Sequence, residues 1–161
     1  MELKRSARKY DQNYRDIADD ENGGILYIFE DNLDRKDYQK IGSIAISDDS
    51  DYALRFNKHD LFISPYSSFG QIRGCKMAFP ITTKKGCDFA DYWTDNDFDA
   101  FKKIIDADIQ EIKKAVKKRG IKKIIFPNQG LINTRYSFIN MDRAPKLFRY
   151  IIKKEIELSK L

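Results

Sequence analysis

Histidine and cysteine are scarce in this sequence of 161 residues, which contains one His and two Cys. A single histidine, His59, excludes an HExxH zinc site and any other metal site built from several histidines. Cys75 and Cys87 are too few for the disulfide framework that stabilises small secreted domains. We therefore expect a cytoplasmic protein that holds no metal and no cofactor.

Long apolar runs are also absent. The longest, residues 25–29, is far shorter than the roughly 18 residues of a membrane-spanning helix, and the cationic start of the chain lacks the apolar stretch of a signal peptide. We therefore expect no membrane partner. There is no internal repeat and no linker rich in Pro, Gly or Ser. With 42% apolar and 13% aromatic residues, the chain is predicted to fold as one domain over residues 1–161.

The net charge of +5 is distributed unevenly along the chain. Acidic residues predominate in residues 11–60 and cationic residues in residues 61–161, which fits either a surface for phosphate groups or an ordinary solvated surface. The densest cationic run, residues 113–123, coincides with a predicted helix end, where cations complement the helix dipole. Nucleic acid is therefore not expected as a partner.

Short apolar segments predict the strands. Residues 25–29, 75–81 and 121–126 are each predicted as strands, and residues 41–46 and 61–63 are two shorter candidates. Residues 1–23 are predicted to be peripheral, because an acidic run and a Gly pair end any helix there before the core begins.

Helical periodicity predicts two longer elements. One spans about residues 95–119, with Thr94 and Asp97 as a capping box at its start and Gly120 as its left-handed cap. The other begins near Asp142 with Pro145 just inside, and its apolar face would include Leu147, Phe148, Ile151, Ile152 and Ile156. Strand, helix and strand over residues 75–126 form a βαβ unit, which predicts an α/β fold with a partly parallel sheet.

Polar segments follow three of the predicted strands. They are Glu30-Asp31-Asn32, Thr82-Thr83-Lys84-Lys85, and residues 128–135. Ligands bind open α/β sheets at the carboxyl ends of the strands, so we expect these segments to line one site. Short polar groups with cations nearby suit a sugar hydroxyl and a phosphate better than an apolar ligand.

Six short segments occur in the order YIFEDNL, FGQIRG, FPITTKK, YWTDNDFD, IIFPNQGL and RAPKLFRYI, over most of residues 24–157. They resemble the GDNL-type, GGQA-like, IPTKK-type, acidic helix-start, DGLGTG-type and APxLF motifs of small macro-domain-like proteins that are common in phage genomes. The resemblance implies a macro-like fold, with a mixed and partly parallel sheet flanked by helices. It also implies a site for ADP-ribose or a related nucleotide.

Several residues depart from those motifs. Glu30 stands where the GDNL motif has Gly, and Phe69 replaces the first Gly of the GGQA-like loop. Ile132 and Asn133 take the places of Gly and Thr in the last loop. Glycine lets backbone amides approach a phosphate closely, so these changes argue against the family's usual diphosphate cradle. Residues 48–67 are predicted to be an insertion relative to the family.

The candidate ligand-binding residues come from the polar segments and from the motifs of the resemblance. They are Asp31, Asn32, Gly70, Gln71, Arg73, Thr82, Thr83, Lys84, Asn128, Gly130, Asn133 and Arg135. Each also has an ordinary structural interpretation, as a turn or cap residue, a turn glycine or a solvated arginine. His59 and Cys87 are more simply a surface histidine and an unreactive thiol, and Cys75 a core residue.

Three functions remain open at this point. The first is binding of a nucleotide-derived small molecule, by which a phage would counteract host immune signalling. The second is hydrolysis of an ADP-ribosyl bond on the same scaffold, with Asp31 or another polar residue positioning water. The third is inhibition of a host protein by direct binding, with a degenerate pocket that lacks the Gly and Thr of the family's motif at positions 132 and 133.

Overall fold

The computed structural model describes residues 1–33, 72–85, 92–132 and 139–161. In this part of the chain the strands are β1 (Glu2–Arg5), β2 (Ile25–Asn32), β3 (Ala78–Lys84) and β4 (Lys123–Phe126). The helices are α1 (Gln12–Ala18), α2 (Phe98–Arg119) and α3 (Pro145–Ser159). The strands form one sheet in the order β1-β4-β2-β3, and each pairing is parallel. The predicted α/β class is confirmed.

Helices cover both faces of the sheet. Tyr14 of α1 contacts Tyr27 of β2, with ring centroids 6.2 Å apart. At the end of α2, the Arg119 guanidinium lies over the ring of Phe79 in β3. Phe79 pairs with Ile28, the neighbour of Tyr27, and successive side chains of a strand point to opposite faces. Helices α1 and α2 therefore cover opposite faces, and α3 packs against α2.

Strands β2 and β3 run further toward their carboxyl ends than the apolar pattern predicts. The prediction ended β2 at Phe29 and β3 at Ile81, whereas the strands continue to Asn32 and Lys84. Five of the added residues, Glu30, Asp31, Thr82, Thr83 and Lys84, are polar and yet buried, and the side chains of Glu30, Asp31 and Thr83 bond within the protein. β3 also begins three residues later than predicted, and the amide of Met77 instead donates to the Ala18 carbonyl at 2.7 Å.

Helix α2 matches its prediction closely. A 3-10 turn over Asp95–Asp97 leads into the α-helix, and the Thr94 amide donates to the Asp97 carboxylate at 3.0 Å. Gly120 has φ of 61°, the left-handed conformation expected of a C-terminal glycine, so the helix ends where the sequence indicates.

Helix α3 differs from its prediction at its start and on one face. It begins at Pro145, and its cap position is Ala144 rather than Asp142. The carboxylate of Asp95 accepts from the Lys146 amide at 3.0 Å, so a residue 51 positions earlier supplies the missing cap. Ile152 and Ile156, predicted to face the core, are 37% and 50% exposed.

The N-terminal segment contributes more to the domain than its peripheral position in the prediction suggests. β1 lies at the edge of the sheet, paired with β4. Tyr10 and Ala18, however, are buried in the core. The Tyr10 hydroxyl donates to the Ile28 carbonyl at 2.5 Å and lies 3.3 Å from the Ile125 carbonyl. This ties the segment to both central strands. The candidate strands at 41–46 and 61–63 and the insertion at 48–67 lie outside the described residues.

We expect Tyr10→Phe to lower the free energy of unfolding by about 1–2 kcal/mol, because the buried Ile28 carbonyl loses a donor. Urea denaturation followed by circular dichroism measures the change. Tyr14→Phe is the matched control. In the wild type, the Tyr14 ring centroid lies 5.0 Å from that of Tyr10, and the Tyr14 hydroxyl makes no hydrogen bond to another described residue. Equal losses in the two variants would show that the bond to Ile28 is unimportant.

Candidate functional site

The carboxyl ends of β4, β2 and β3 lie side by side. These strands are neighbours in the sheet and all run parallel, so their ends share one edge. Glu30 and Asp31 of β2 are therefore adjacent to the end of β3 at Lys84, whereas β4, which pairs with β2 as far as Tyr27, ends earlier along the same edge at Phe126. We call this region the carboxyl edge.

Asp31 and Arg73 form a buried ion pair at the carboxyl edge. The two carboxylate oxygens lie 2.6 and 2.7 Å from the two terminal guanidinium nitrogens, so the pair is bidentate. The side chains are only 1% and 5% exposed, and the guanidinium lies over the ring of Phe29. The pair fixes the segment that carries Arg73 to the end of β2. Removing one partner of such a pair costs roughly 3–5 kcal/mol.

Glu30, next to Asp31 in β2, is a second buried carboxyl. Thr83 of β3 donates its hydroxyl hydrogen to Oε1 of Glu30 at 3.0 Å. Burial raises the pKa of Glu30 to about 8, which the bond from Thr83 only partly offsets. Glu30 is therefore mostly protonated at neutral pH. In the sequence, Glu30 directly follows the apolar run of residues 25–29, and this position is the feature that could have indicated its burial.

Thr82, near the end of β3, has a backbone amide that is hydrogen-bonded and a hydroxyl that is not, within the described residues. The Thr82 amide donates to Oδ2 of Asp108, a buried residue of α2, at 2.9 Å. The Thr82 hydroxyl, which is fully buried, has no hydrogen-bond partner among the described residues. The indole nitrogen of Trp93, a residue only 2% exposed, likewise has no hydrogen-bond partner among the described residues. Among the described residues, one other buried side-chain atom shares this property, Nε of Arg15.

Cations and aromatic rings come together beyond the end of β3. The Lys84 ammonium lies 5.7 Å from the ring centroid of Tyr92, and the Arg143 guanidinium lies 3.8 Å from the same centroid. The Lys85 ammonium lies 5.9 Å from the ring centroid of Trp93 and 3.6 Å from the Asp97 carboxylate. Three cations thus gather around two aromatic rings, which the separate sequence positions did not reveal.

The turn after β4 is closed by its own backbone. The Gly130 amide donates to the Pro127 carbonyl at 2.8 Å, so this amide is not available to a phosphate. Gly130 has φ of +74°, and a Cβ at this position would lie 3.1 Å from a guanidinium nitrogen of Arg5. Asn128 in the same turn is half-buried. The glycine here is required by the turn and by the arginine packed on it.

The structure therefore brings together some of the predicted site residues and not others. Asp31 bonds to Arg73 and Thr83 to Glu30, whereas Asn128 and Gly130 bond to none of these four in the described structure. Gly70, Gln71, Asn133 and Arg135 lie outside the described residues, as do His59 and Cys87. Of Asn32, the structure describes the backbone, which pairs with Lys84.

Cys75 is a buried core residue, as predicted, 4% exposed and with its Sγ 3.6 Å from the Arg15 carbonyl oxygen. Burial raises the pKa of this thiol to about 11. Within residues 1–33, 72–85, 92–132 and 139–161, no three His, Cys, Asp or Glu side chains come close enough to hold a metal ion together. None of the helices in those ranges has both the length and the hydrophobicity needed to span a bilayer.

We expect Glu30→Gln to remove a pH dependence of stability. The pKa of Glu30 is about 8 in the folded protein and ordinarily 4.5, so its contribution is full below pH 4.5 and is lost as the pH rises through 8. Across that window, the free energy of unfolding should fall by up to about 1.4 kcal/mol per pH unit more in the wild type than in the variant. Urea denaturation at several pH values tests this. Identical slopes would mean that Glu30 ionises normally.

Gly130→Ala should lower the free energy of unfolding by about 1–2 kcal/mol, because alanine is strained at positive φ and its Cβ meets Arg5. Gly23→Ala is the control. Gly23 does not have a positive φ, and the nearest atom to an added Cβ lies 4.0 Å away. Thermal denaturation compares the two. A stable Gly130→Ala protein would contradict the structural role of this glycine.

Comparison with known proteins places the chain in a family. No curated protein and no solved structure matches the chain. Residues 9–154 match a family of unknown function, DUF7831. The match spans α1, β2, β3, α2, β4 and most of α3, and with them the carboxyl edge. The chain belongs to this family of unknown function, DUF7831.

Proposed function

We propose that the domain binds an anionic, nucleotide-derived small molecule at the carboxyl edge, ADP-ribose or a related signalling nucleotide. The observation that carries this proposal is the placement of three polar strand ends side by side at one edge of a parallel sheet. Such edges are where ligands bind in α/β folds. Binding would withdraw the nucleotide from solution, which is the anti-defence role that the resemblance to phage proteins suggests.

The charge at this edge supports an anionic ligand. Lys85 and Arg143 lie there, and Asp97 is the described acid that contacts Lys85. The two acids of β2 add little negative charge, because Asp31 is paired with Arg73 and burial keeps Glu30 mostly protonated.

Two unpartnered donors support a polar ligand. The Thr82 hydroxyl and the Trp93 indole N–H, near the end of β3, are buried without a hydrogen-bond partner in the part of the chain that the structure describes. A buried donor without an acceptor costs about 1–3 kcal/mol, so native proteins seldom leave one unsatisfied without a reason. A hydroxyl or phosphate oxygen of the ligand would satisfy them. We place no phosphate at the turn around Gly130, because the Gly130 amide already donates to the Pro127 carbonyl.

The hydrolase alternative receives less support from the geometry. Both oxygens of Asp31 accept from Arg73, and the side chain is 1% exposed, so it does not present a base to water. Binding without turnover is therefore the function we propose.

Calorimetric titration with ADP-ribose, cyclic dinucleotides and cyclic ADP-ribose isomers tests this function. We expect saturable binding of at least one of them. It should be accompanied by a change in the emission of Trp93, the one tryptophan of the chain. Lys85→Gln combined with Arg143→Gln should weaken binding at least about tenfold, because two cations near the phosphates are lost.

Lys117→Gln combined with Lys118→Gln is the matched control, since it removes equal charge from the exposed far end of α2. It should leave the affinity unchanged. Absence of binding across the panel, or equal weakening in both double variants, would contradict a nucleotide site at the carboxyl edge. Release of a cleaved product from an ADP-ribosylated substrate would favour the hydrolase instead.

A further inference from the structure

An open groove lies on the outer surface of the two long helices, separate from the residues assigned to the nucleotide. Its volume is 350 Å³, and it is lined by Phe98 at the start of α2 and by Lys146, Arg149, Tyr150 and Lys153 of α3. We call it the α3 groove. Its three cations are all exposed, and its two aromatic rings are half-buried or buried.

The cations of the α3 groove are not neutralised within the described protein. Lys146, Arg149 and Lys153 form no ion pair with any described residue. Other cations of the two helices differ. Lys102 and Lys154 lie 2.8 and 2.7 Å from Asp106, and Lys113 pairs with Glu157. Among the residues that the structure describes, acids therefore neutralise the cations between α2 and α3 but not those of the α3 groove.

The three cations also share one face of α3. Their spacing of three and four residues places them within one helical stripe, about 10 Å long. The helix N-terminus contributes no site of its own, because the Asp95 carboxylate accepts from the amides of Lys146 and Leu147. The attraction for an anion comes from the side chains alone.

Two exposed isoleucines adjoin this stripe. Ile152 and Ile156 follow Arg149 by three and seven residues, which places them beside it on the helix surface. They are 37% and 50% exposed, although an apolar residue on a helix usually faces the core. A charged stripe next to an exposed apolar pair is typical of a protein-binding surface.

The groove suits nucleic acid less well. Single-stranded nucleic acid binds basic grooves by stacking its bases on aromatic rings. The Tyr150 ring has the ammonium groups of Lys102 and Lys154 at 5.8 and 5.3 Å, and its hydroxyl bonds to Asp106. Phe98 packs against Tyr150 with ring centroids 5.7 Å apart. Neither ring offers an unencumbered stacking face.

We propose that the α3 groove and the adjoining isoleucines bind an acidic, amphipathic helical segment of a partner protein. Its carboxylates would meet Lys146, Arg149 and Lys153, and its apolar residues would cover Ile152 and Ile156. A helical segment repeats its charges at the same spacing as α3, so two or three carboxylates reach the three cations from one face. This surface shares no residue with the proposed nucleotide site.

Fluorescence anisotropy with a labelled helical peptide tests the proposal. The peptide is composed of Glu, Leu and Ala, so that one face of its helix is acidic and the adjoining face is apolar. We expect saturable binding that weakens as salt increases. The triple variant Lys146→Gln, Arg149→Gln and Lys153→Gln should bind at least about tenfold more weakly. Ile152→Ser combined with Ile156→Ser should also weaken binding. These five residues are exposed, so the variants should fold, which circular dichroism verifies.

The matched control is the triple variant Lys117→Gln, Lys118→Gln and Lys122→Gln, which removes the same charge from exposed positions elsewhere. It should bind the peptide as the wild type does. No binding by the wild type, or equal weakening in both triple variants, overturns the proposal. So does unchanged binding in the isoleucine variant. Labelled oligothymidine that binds more tightly than the peptide, and loses binding in the groove variant, would show a nucleic-acid surface instead.

Discussion

The parallel arrangement of the strands governs the whole carboxyl edge. β2 lies between β4 and β3, and its polar carboxyl end continues beyond its pairing with β4, where it pairs with β3 and carries the buried acids Glu30 and Asp31. Two acids in succession would be costly in that position. The protein neutralises one by a bidentate pair with Arg73, and burial leaves the other, Glu30, mostly protonated and bonded to Thr83. Residues that the sequence marks as ligand contacts thereby serve first to stabilise the sheet.

Much of the fold is predictable from local patterns. The run of residues 25–29 identifies β2, and the capping residues Thr94 and Gly120 locate both ends of α2, because each signal lies within a few residues of its effect. The parallel sheet follows from the βαβ unit around that helix. The expectation that three polar strand ends share one edge follows from the same unit, since parallel strands align their carboxyl ends.

The remainder depends on contacts between distant residues, which a local pattern does not contain. Thr82 and Thr83 look like loop residues until Asp108 and Glu30 provide their partners. The cap of α3 comes from Asp95, and the burial of Tyr10 depends on carbonyls in two central strands. At the site, the pairing of Asp31 with Arg73 and the gathering of Lys85 and Arg143 near aromatic rings arise in the same way.

Asp95 caps α3 and also connects the start of that helix to the segment before α2. It lies two residues after Trp93 and directly before α2, yet its carboxylate holds the first amides of α3. A movement of the backbone at Asp95 would therefore also displace the start of α3, because the Asp95 side chain connects the two. The placement of α3 beside α2 therefore depends in part on one side chain that lies in neither helix.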